Sequence, residues 1–294
     1  MKRNLLFMIA ALLMFSATAQ TTDAEKLAGA PRQELKLPKG AKGYTLLRAN
    51  ILDSYQTISV ISYSPKHFTT TIAQPEKLTR LSATAKAHDA EFGVNAGYWD
   101  VRVDLPSTFL KLDGKQISVT ADFEKERVDG VVCVGKKKVL LDHCKAGSEA
   151  AYAKKYDNIL AAGPVLIDNG KSVDHDAYTK GMVDNAGGKP VGAFYTYTQR
   201  HPRTAIGTDK KGNVYLIVVD GRSEGNAEGV TIAELTKVCE WLGMRDAINL
   251  DGGGSSSMWT ANEGTVSYPC RNKKFDHAGE RRVSSCLVVK SKKK

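Results

Sequence analysis

The chain has 294 residues, of which 42% are hydrophobic and 25% charged, and a formal net charge of +10. The hydrophobic share is enough for a real core in one large domain or two closely packed ones. The basic excess does not indicate nucleic acid: Lys290, Lys292, Lys293 and Lys294 crowd the C-terminus, Lys136-Lys137-Lys138 reads as a solvated turn, and basic–aromatic interleaving is missing.

Lys2 and Arg3 precede an apolar run from Leu5 to Phe15, followed by Ser16-Ala17-Thr18-Ala19. The run is about half of the ~20 residues that cross a bilayer, and Ala17-Thr18-Ala19 supplies an Ala-x-Ala cleavage sequence. A secretory signal peptide over residues 1–19 is expected, with Gln20 as the first mature residue. Losing Lys2 and Arg3 leaves a charge of +8. No later run is apolar for long enough to span, so the expectation is an exported protein, periplasmic or at the cell surface, with no stable membrane insertion and no nucleic-acid partner. In an oxidising compartment Cys133, Cys144, Cys239, Cys270 and Cys286 suggest one or two disulfides. Cys133 with Cys144 could staple a hairpin, and Cys270 with Cys286 could close the last loop. The close Cys-x2-Cys spacing of a zinc site is absent.

Residues 20–43 are polar, with Pro31, Pro38 and Gly40. Alternating β-branched and aromatic residues predict strands at 43–49 and 56–63. Leu78, Leu81 and Ala85 give helical spacing across 75–89, ahead of Phe92-Gly93-Val94-Asn95. Strands are then predicted at 117–119, 130–134, 139–141 and 158–167, the last after a short Ala-rich helix at 148–156. Residues 173–197 hold Gly181, Gly187, Gly188, Pro190 and Gly192 and read as a long loop, a candidate lid. Strands at 205–208 and 214–219 flank a turn at 209–213. Thr231 and Glu234 form a capping box for a helix at 231–242 that Gly243 stops. A buried strand at 247–250 then runs into three glycines.

Three glycines after an apolar strand lose much backbone entropy on folding, so Asp251-Gly252-Gly253-Gly254-Ser255-Ser256-Ser257 implies left-handed torsions or close backbone approach. Such a turn can form an anion-binding nest of N–H groups; a tight turn without ligand is the plain alternative. No lysine follows as in a P-loop, and no Gly-x-Ser-x-Gly elbow is present. Val219-Asp220-Gly221-Arg222 ends a second apolar strand with a carboxylate, glycine and guanidinium. Two such strand ends would put Asp220 and Asp251 side by side, the paired carboxylates of glycoside cleavage, though either could simply cap a turn. Asn95 beside Tyr98 and Trp99 suits a sugar, while core packing is the commoner use of such aromatics. Arg200 and Arg203 could clamp a phosphate or pair with surface carboxylates.

In this order, Asn95-Ala96-Gly97-Tyr98-Trp99, Gly163-Pro164-Val165-Leu166, His201-Pro202-Arg203-Thr204-Ala205-Ile206-Gly207, Val219-Asp220-Gly221-Arg222, Gly229-Val230-Thr231, Asn249-Leu250-Asp251-Gly252-Gly253-Gly254-Ser255-Ser256 and Arg282-Val283-Ser284-Ser285 resemble the phosphodiester glycosidase family. The resemblance covers residues 90–290 and is most specific from 201 to 256. Residues 20–89 form a β-rich segment expected to pack with that domain as one unit, and 291–294 a basic tail.

The resemblance implies an α+β fold, mixed β-sheets with a few flanking helices and the site at strand ends and Gly-rich turns. It also implies removal of an alpha-linked N-acetylglucosamine, or a related sugar, from a phosphodiester or envelope glycan, leaving a phosphomonoester. Carried over by position, the catalytic candidates are Asp220, Asp251 and Arg203. The binding candidates are Asn95, Thr204, Arg222, Glu224, Gly252, Gly253, Gly254, Ser255 and Arg281 or Arg282, with Arg282 preferred. No cofactor is required, and bound calcium stays open. A phosphate whose conjugate acid has a pKa of about 6 leaves without a strong general acid, so Arg203 and the glycine turn would hold it while Asp220 or Asp251 stabilises the sugar cation or activates water. Two other readings fit the same residues: a non-catalytic binder of anionic carbohydrate, and a metal-assisted phosphodiesterase with oxygen ligands from Asp220, Asp251 and Glu224.

Overall fold

Antiparallel pairing builds three large sheets and two short two-stranded ladders, in a computed structural model that describes residues 21–177, 179, 180 and 192–292. The expected signal peptide, the centre of the 173–197 loop and the last two lysines lie outside the described residues. The largest sheet has eight strands in the order Arg32–Glu34, Ala41–Ile51, Ser54–Tyr63, Val214–Val219, Arg203–Thr208, Asp246–Asn249, Val165–Asp168 and Lys171–Ser172. One five-stranded sheet is centred on Phe92–Asn95 and Cys286–Ser291, the other on Asn158–Ala162 and Gly130–Val134. With only short helices added, the architecture is α+β.

Side-chain alternation along the central strands sets the layers. Val214, Leu216 and Val218 face one core with Ile206 and Ile248, closed by Phe92, Val94 and Leu287 of one small sheet and Val132 and Leu160 of the other. Ile217, Val219 and Ala205 face the opposite way, under Ile232, Leu235 and Val238 of the Ile232–Trp241 helix. That helix starts where its capping box says it should: the Thr231 hydroxyl accepts from Glu234 N at 3.1 Å, and the Glu234 carboxylate accepts from Thr231 N at 2.9 Å. The polar N-terminal part of the chain is woven into the same sheets, Ser54–Tyr63 against Val214–Val219 and Phe68–Ala73 against Cys286–Ser291.

Several predicted elements differ. The 158–167 run is two strands in different sheets, Asn158–Ala162 and Val165–Asp168, because the chain crosses over at Gly163-Pro164. A Cβ on Gly163 would stand 2.3 Å from the Arg127 carbonyl oxygen, so only glycine passes there. The 75–89 helix shrinks to Leu81–Ala87, since Thr79–Arg80 pairs as a strand with Arg282–Val283. The 148–156 helix is only Ala150–Ala153, and Gly192–Thr198 is helical inside the predicted loop. The expected disulfides are not formed; all five cysteines are free. Strand register puts Cys133 opposite Leu140, while the Cys144 N–H bonds to Asp129. Cys286 is sealed in a core with Leu81 and Trp259, whereas Cys270 lines a surface cleft.

Candidate active site

The ends of three strands meet at one edge of the large sheet. Leu250 N donates to Thr204 O at 2.8 Å, Asp251 N to Ala96 O at 2.8 Å and Gly253 N to Pro202 O at 2.7 Å, which stitches the glycine turn between two sheets. The glycines answer to this close approach. A Cβ on Gly252 would lie 2.9 Å from the Pro202 carbonyl oxygen, and Gly253 has φ +60° with Arg222 Nη2 3.2 Å from its Cβ position. The amides of Gly253, Ser255 and Ser256 bond to carbonyls of the turn and of Pro202. Those three N–H groups of the expected nest are therefore taken, and the charge around the turn comes from side chains.

Those side chains are present. A cleft of about 430 Å³ is lined by Gly252, Gly253, Gly254, Cys270 and the four cations Arg222, Arg271, Lys273 and Arg281. Arg222, at φ +63°, has its Nη2 3.4 Å from His201 Nδ1 and its Nη1 3.9 Å from Cys270 Sγ. Burial, with Arg203 and Arg222 alongside, lowers the His201 pKa to about 4, so His201 is neutral at pH 7. Arg281 stacks on Trp99, its Cζ 4.6 Å from the ring centroid. Trp99, read from sequence as a sugar platform, thus carries a guanidinium.

Asp251 is half-buried beside this cleft. Burial raises its pKa to about 6, while Ser255, Arg127 and Arg281 oppose the rise. The carboxylate is therefore mostly ionised at pH 7. Asp220, 1% exposed, is different. Its Oδ1 accepts from Tyr268 N at 2.9 Å, its Oδ2 has no partner, and burial pushes its pKa up to about 8, which keeps it protonated. Neither carboxyl is among the leading causes of the other's shift. Their strands flank Arg203–Thr208, two inter-strand spacings or roughly 10 Å apart. The side-by-side pair expected from sequence is not what the sheet order produces.

Arg203 lies at the same strand end but turns away. It shares the parity of Ala205 and faces the helical side, where Nε donates to Val230 O at 2.9 Å and Nη2 to Thr196 O at 2.7 Å and Gln199 O at 3.0 Å. Burial lowers its pKa to about 10, so it stays charged and adds positive potential from behind the cleft. Asn95 and Thr204 are buried linkers. Asn95 Nδ2 donates to Asp251 O at 2.6 Å, and its Oδ1 accepts from Thr204 Oγ1 at 2.7 Å and Ser257 N at 3.0 Å. Glu224 is exposed on the turn between Ser223 and Ala227. Arg282 lines a neighbouring cleft instead of the one around the glycines.

Sequence reading missed Arg271, Lys273, Arg127 and Glu124. The first two follow Cys270 in a loop with no strand or glycine cue. The other two form an ion pair between buried Glu124 and half-buried Arg127, whose guanidinium lies over Tyr98, 4.1 Å from the ring centroid, behind Asp251. Among the described residues no three His, Cys, Asp or Glu side chains converge on a metal-sized site; Asp220, Asp251 and Glu224 stay apart. What the cleft suits is an anion beside one ionised carboxylate.

The family model for phosphodiester glycosidase matches residues 88–290. A stretch of 93 residues is 37% identical to N-acetylglucosamine-1-phosphodiester alpha-N-acetylglucosaminidase of Bos taurus, covering 30% of this chain and 16% of that protein. A stretch of 67 residues is 40% identical to the Homo sapiens protein of the same name, covering 23% of this chain and 12% of that one. The matches thus span a small part of the relatives' length. The solved catalytic domain of the zebrafish enzyme superposes with a TM-score of 0.67 at 16% identity, over 88% of this chain and 87% of that chain, and has the same fold. No helix among the described residues is long and apolar enough to cross a membrane.

Proposed function

We propose that this chain, which belongs to the phosphodiester glycosidase family, hydrolyses the C1–O bond of a sugar 1-phosphodiester, releasing the free sugar and a phosphomonoester. One observation carries the reading: Arg222, Arg271, Lys273 and Arg281 surround the three-glycine turn with Asp251 beside them. The cations take the phosphate and hold the charge that grows on its oxygen as the C1–O bond breaks. A phosphomonoester leaving group has a pKa of about 6, so it departs as an anion without a strong proton donor. Asp251, ionised at pH 7, stabilises the positive charge at C1 or takes a proton from attacking water. Arg127 and Arg281 keep its pKa from rising further.

Asp220 holds its proton and sits under the Tyr268 N–H, so it anchors the segment that carries Arg271 and Lys273 and does not touch substrate. Arg203, Asn95 and Thr204 position the strand ends and the turn. The names of the bovine and human relatives support alpha-linked N-acetylglucosamine as the sugar. The leader-like residues 1–19 support action outside the cytoplasm.

The test is incubation with the methyl phosphodiester of alpha-N-acetylglucosamine 1-phosphate in heavy-oxygen water, with products read by mass spectrometry. Label in the free sugar, lost in Asp251→Asn, is the expected result. Label in the phosphate would mean phosphorus–oxygen cleavage and overturn the reading, and binding without turnover would leave a carbohydrate-phosphate binder.

A further inference from the structure

A second cleft of about 290 Å³ adjoins the first and shares Arg271 and Arg281 with it; Leu78, Arg80, Trp99, Glu280 and Arg282 complete its lining. The Arg281 guanidinium over the Trp99 ring belongs to the wall common to both. Its acidic member is already engaged, because the Glu280 carboxylate accepts from the Ser82 amide and hydroxyl. None of Arg80, Arg271, Arg281 and Arg282 forms an ion pair with a carboxylate among the described residues.

Register adds a second observation. Arg80 and Arg282 are directly opposed across the two-stranded ladder of Thr79–Arg80 and Arg282–Val283, and both are exposed. Like charges in that relation destabilise a ladder. An anion between two guanidinium groups reverses the sign, since each can donate a pair of charge-assisted hydrogen bonds to phosphate oxygens.

We propose that the Arg80–Arg282 cleft is a second phosphate subsite, so that the natural substrate carries a further phosphate on the aglycone beyond the scissile sugar phosphate. This deepens the glycosidase reading and rests on it. A phosphodiester alone has one negative charge, which the four cations of the first cleft exceed without help. A chain running from the glycine turn past Trp99 brings its next phosphate to Arg80 and Arg282. A diphosphate and a polyol-phosphate chain share this chemistry and differ in the spacing of their phosphates.

The test compares three N-acetylglucosamine 1-phosphate compounds: the methyl diester, the diester to glycerol 3-phosphate, and the uridine diphosphate sugar. Arg80→Gln is expected to raise KM for one or both doubly phosphorylated compounds about tenfold, equivalent to about 1.4 kcal/mol, and to leave KM for the methyl diester essentially unchanged. An effect confined to the glycerol compound identifies a polyol-phosphate aglycone; one confined to the uridine compound identifies a diphosphate. Equal shifts for all three, or none, would overturn the subsite. Binding of glycerol 1,3-bisphosphate by calorimetry runs in parallel and needs no turnover: weakening in Arg80→Gln supports the subsite even if no sugar is released, and unchanged binding overturns it. Ligand-free Arg80→Gln should also melt higher than wild type, because the opposed charges are gone; a lower melting temperature would mean that the arginine pair is structural.

Discussion

Replacing Asp220 by Asn separates a carboxyl kept neutral by burial from one that works ionised. Below pH 3.8 the group is protonated in both folded and unfolded chains and adds no pH dependence. Between 3.8 and about 8 the unfolded chain releases the proton and the folded one keeps it, so stability falls as pH rises. Each pH unit removes about 1.4 kcal/mol, and by pH 7 the carboxyl detracts by up to about 4 kcal/mol. Above 8 the loss is complete and constant. Asn keeps an oxygen for the Tyr268 N–H and has no proton to lose, so Asp220→Asn should be the more stable protein at pH 7.

The window from pH 6.5 to 8 isolates this group. Asp129 and Asp251, both raised by burial to about 6, have largely finished their contributions below it, and what His175 and His201, both lowered by burial to about 4, still contribute is common to the two proteins and cancels in their difference. Urea unfolding of both proteins across the window should show the advantage of the variant growing by about 1.5 kcal/mol, with most of the hydrolytic activity retained. An advantage independent of pH would refute the protonated state, and loss of activity in a stable, folded variant would move Asp220 into the chemistry.

Asp251→Asn should lower kcat by about 10²- to 10⁴-fold, the range for a carboxylate acting in the transition state, and should raise the unfolding midpoint at pH 7, because burial lifts this carboxyl to about 6 as well; steady-state kinetics and urea unfolding check it. In the wild type kcat/KM should rise with pH through about 6, as Asp251 ionises, and Asp251→Asn should lose that limb in its residual activity. Arg222→Gln and Arg281→Gln should each raise KM about tenfold or more and weaken inhibition by inorganic phosphate, while Glu224→Gln leaves both unchanged. Asn95→Ala strips partners from Thr204, Ser257 and the Asp251 carbonyl and should cost about 2–4 kcal/mol in chemical unfolding.

Local order along this chain was legible because it depends on near neighbours. The alternation at Val214–Val219, the Thr231–Glu234 box and the demand for glycine at 252–253 are properties of a few consecutive residues, and all appear in the structure. The order of motifs from Asn95 to Ser285 was likewise enough to indicate the family and the α+β fold. Which way Arg203 points was not legible, because one residue of strand parity separates the cleft from the helical side and both are polar there. Arg271 and Lys273 escaped notice, and Arg281 was ranked behind Arg282, because the segment that carries Arg271, Lys273 and Arg281 is brought back across the glycine turn only by folding. The difference between Asp220 and Asp251 was decided by tertiary structure alone: the same side chain, after the same kind of strand, meets a closed pocket in one case and a cation-lined cleft in the other. Burial and charge summed over distant segments set a proton's affinity, and no spacing along the chain contains that sum.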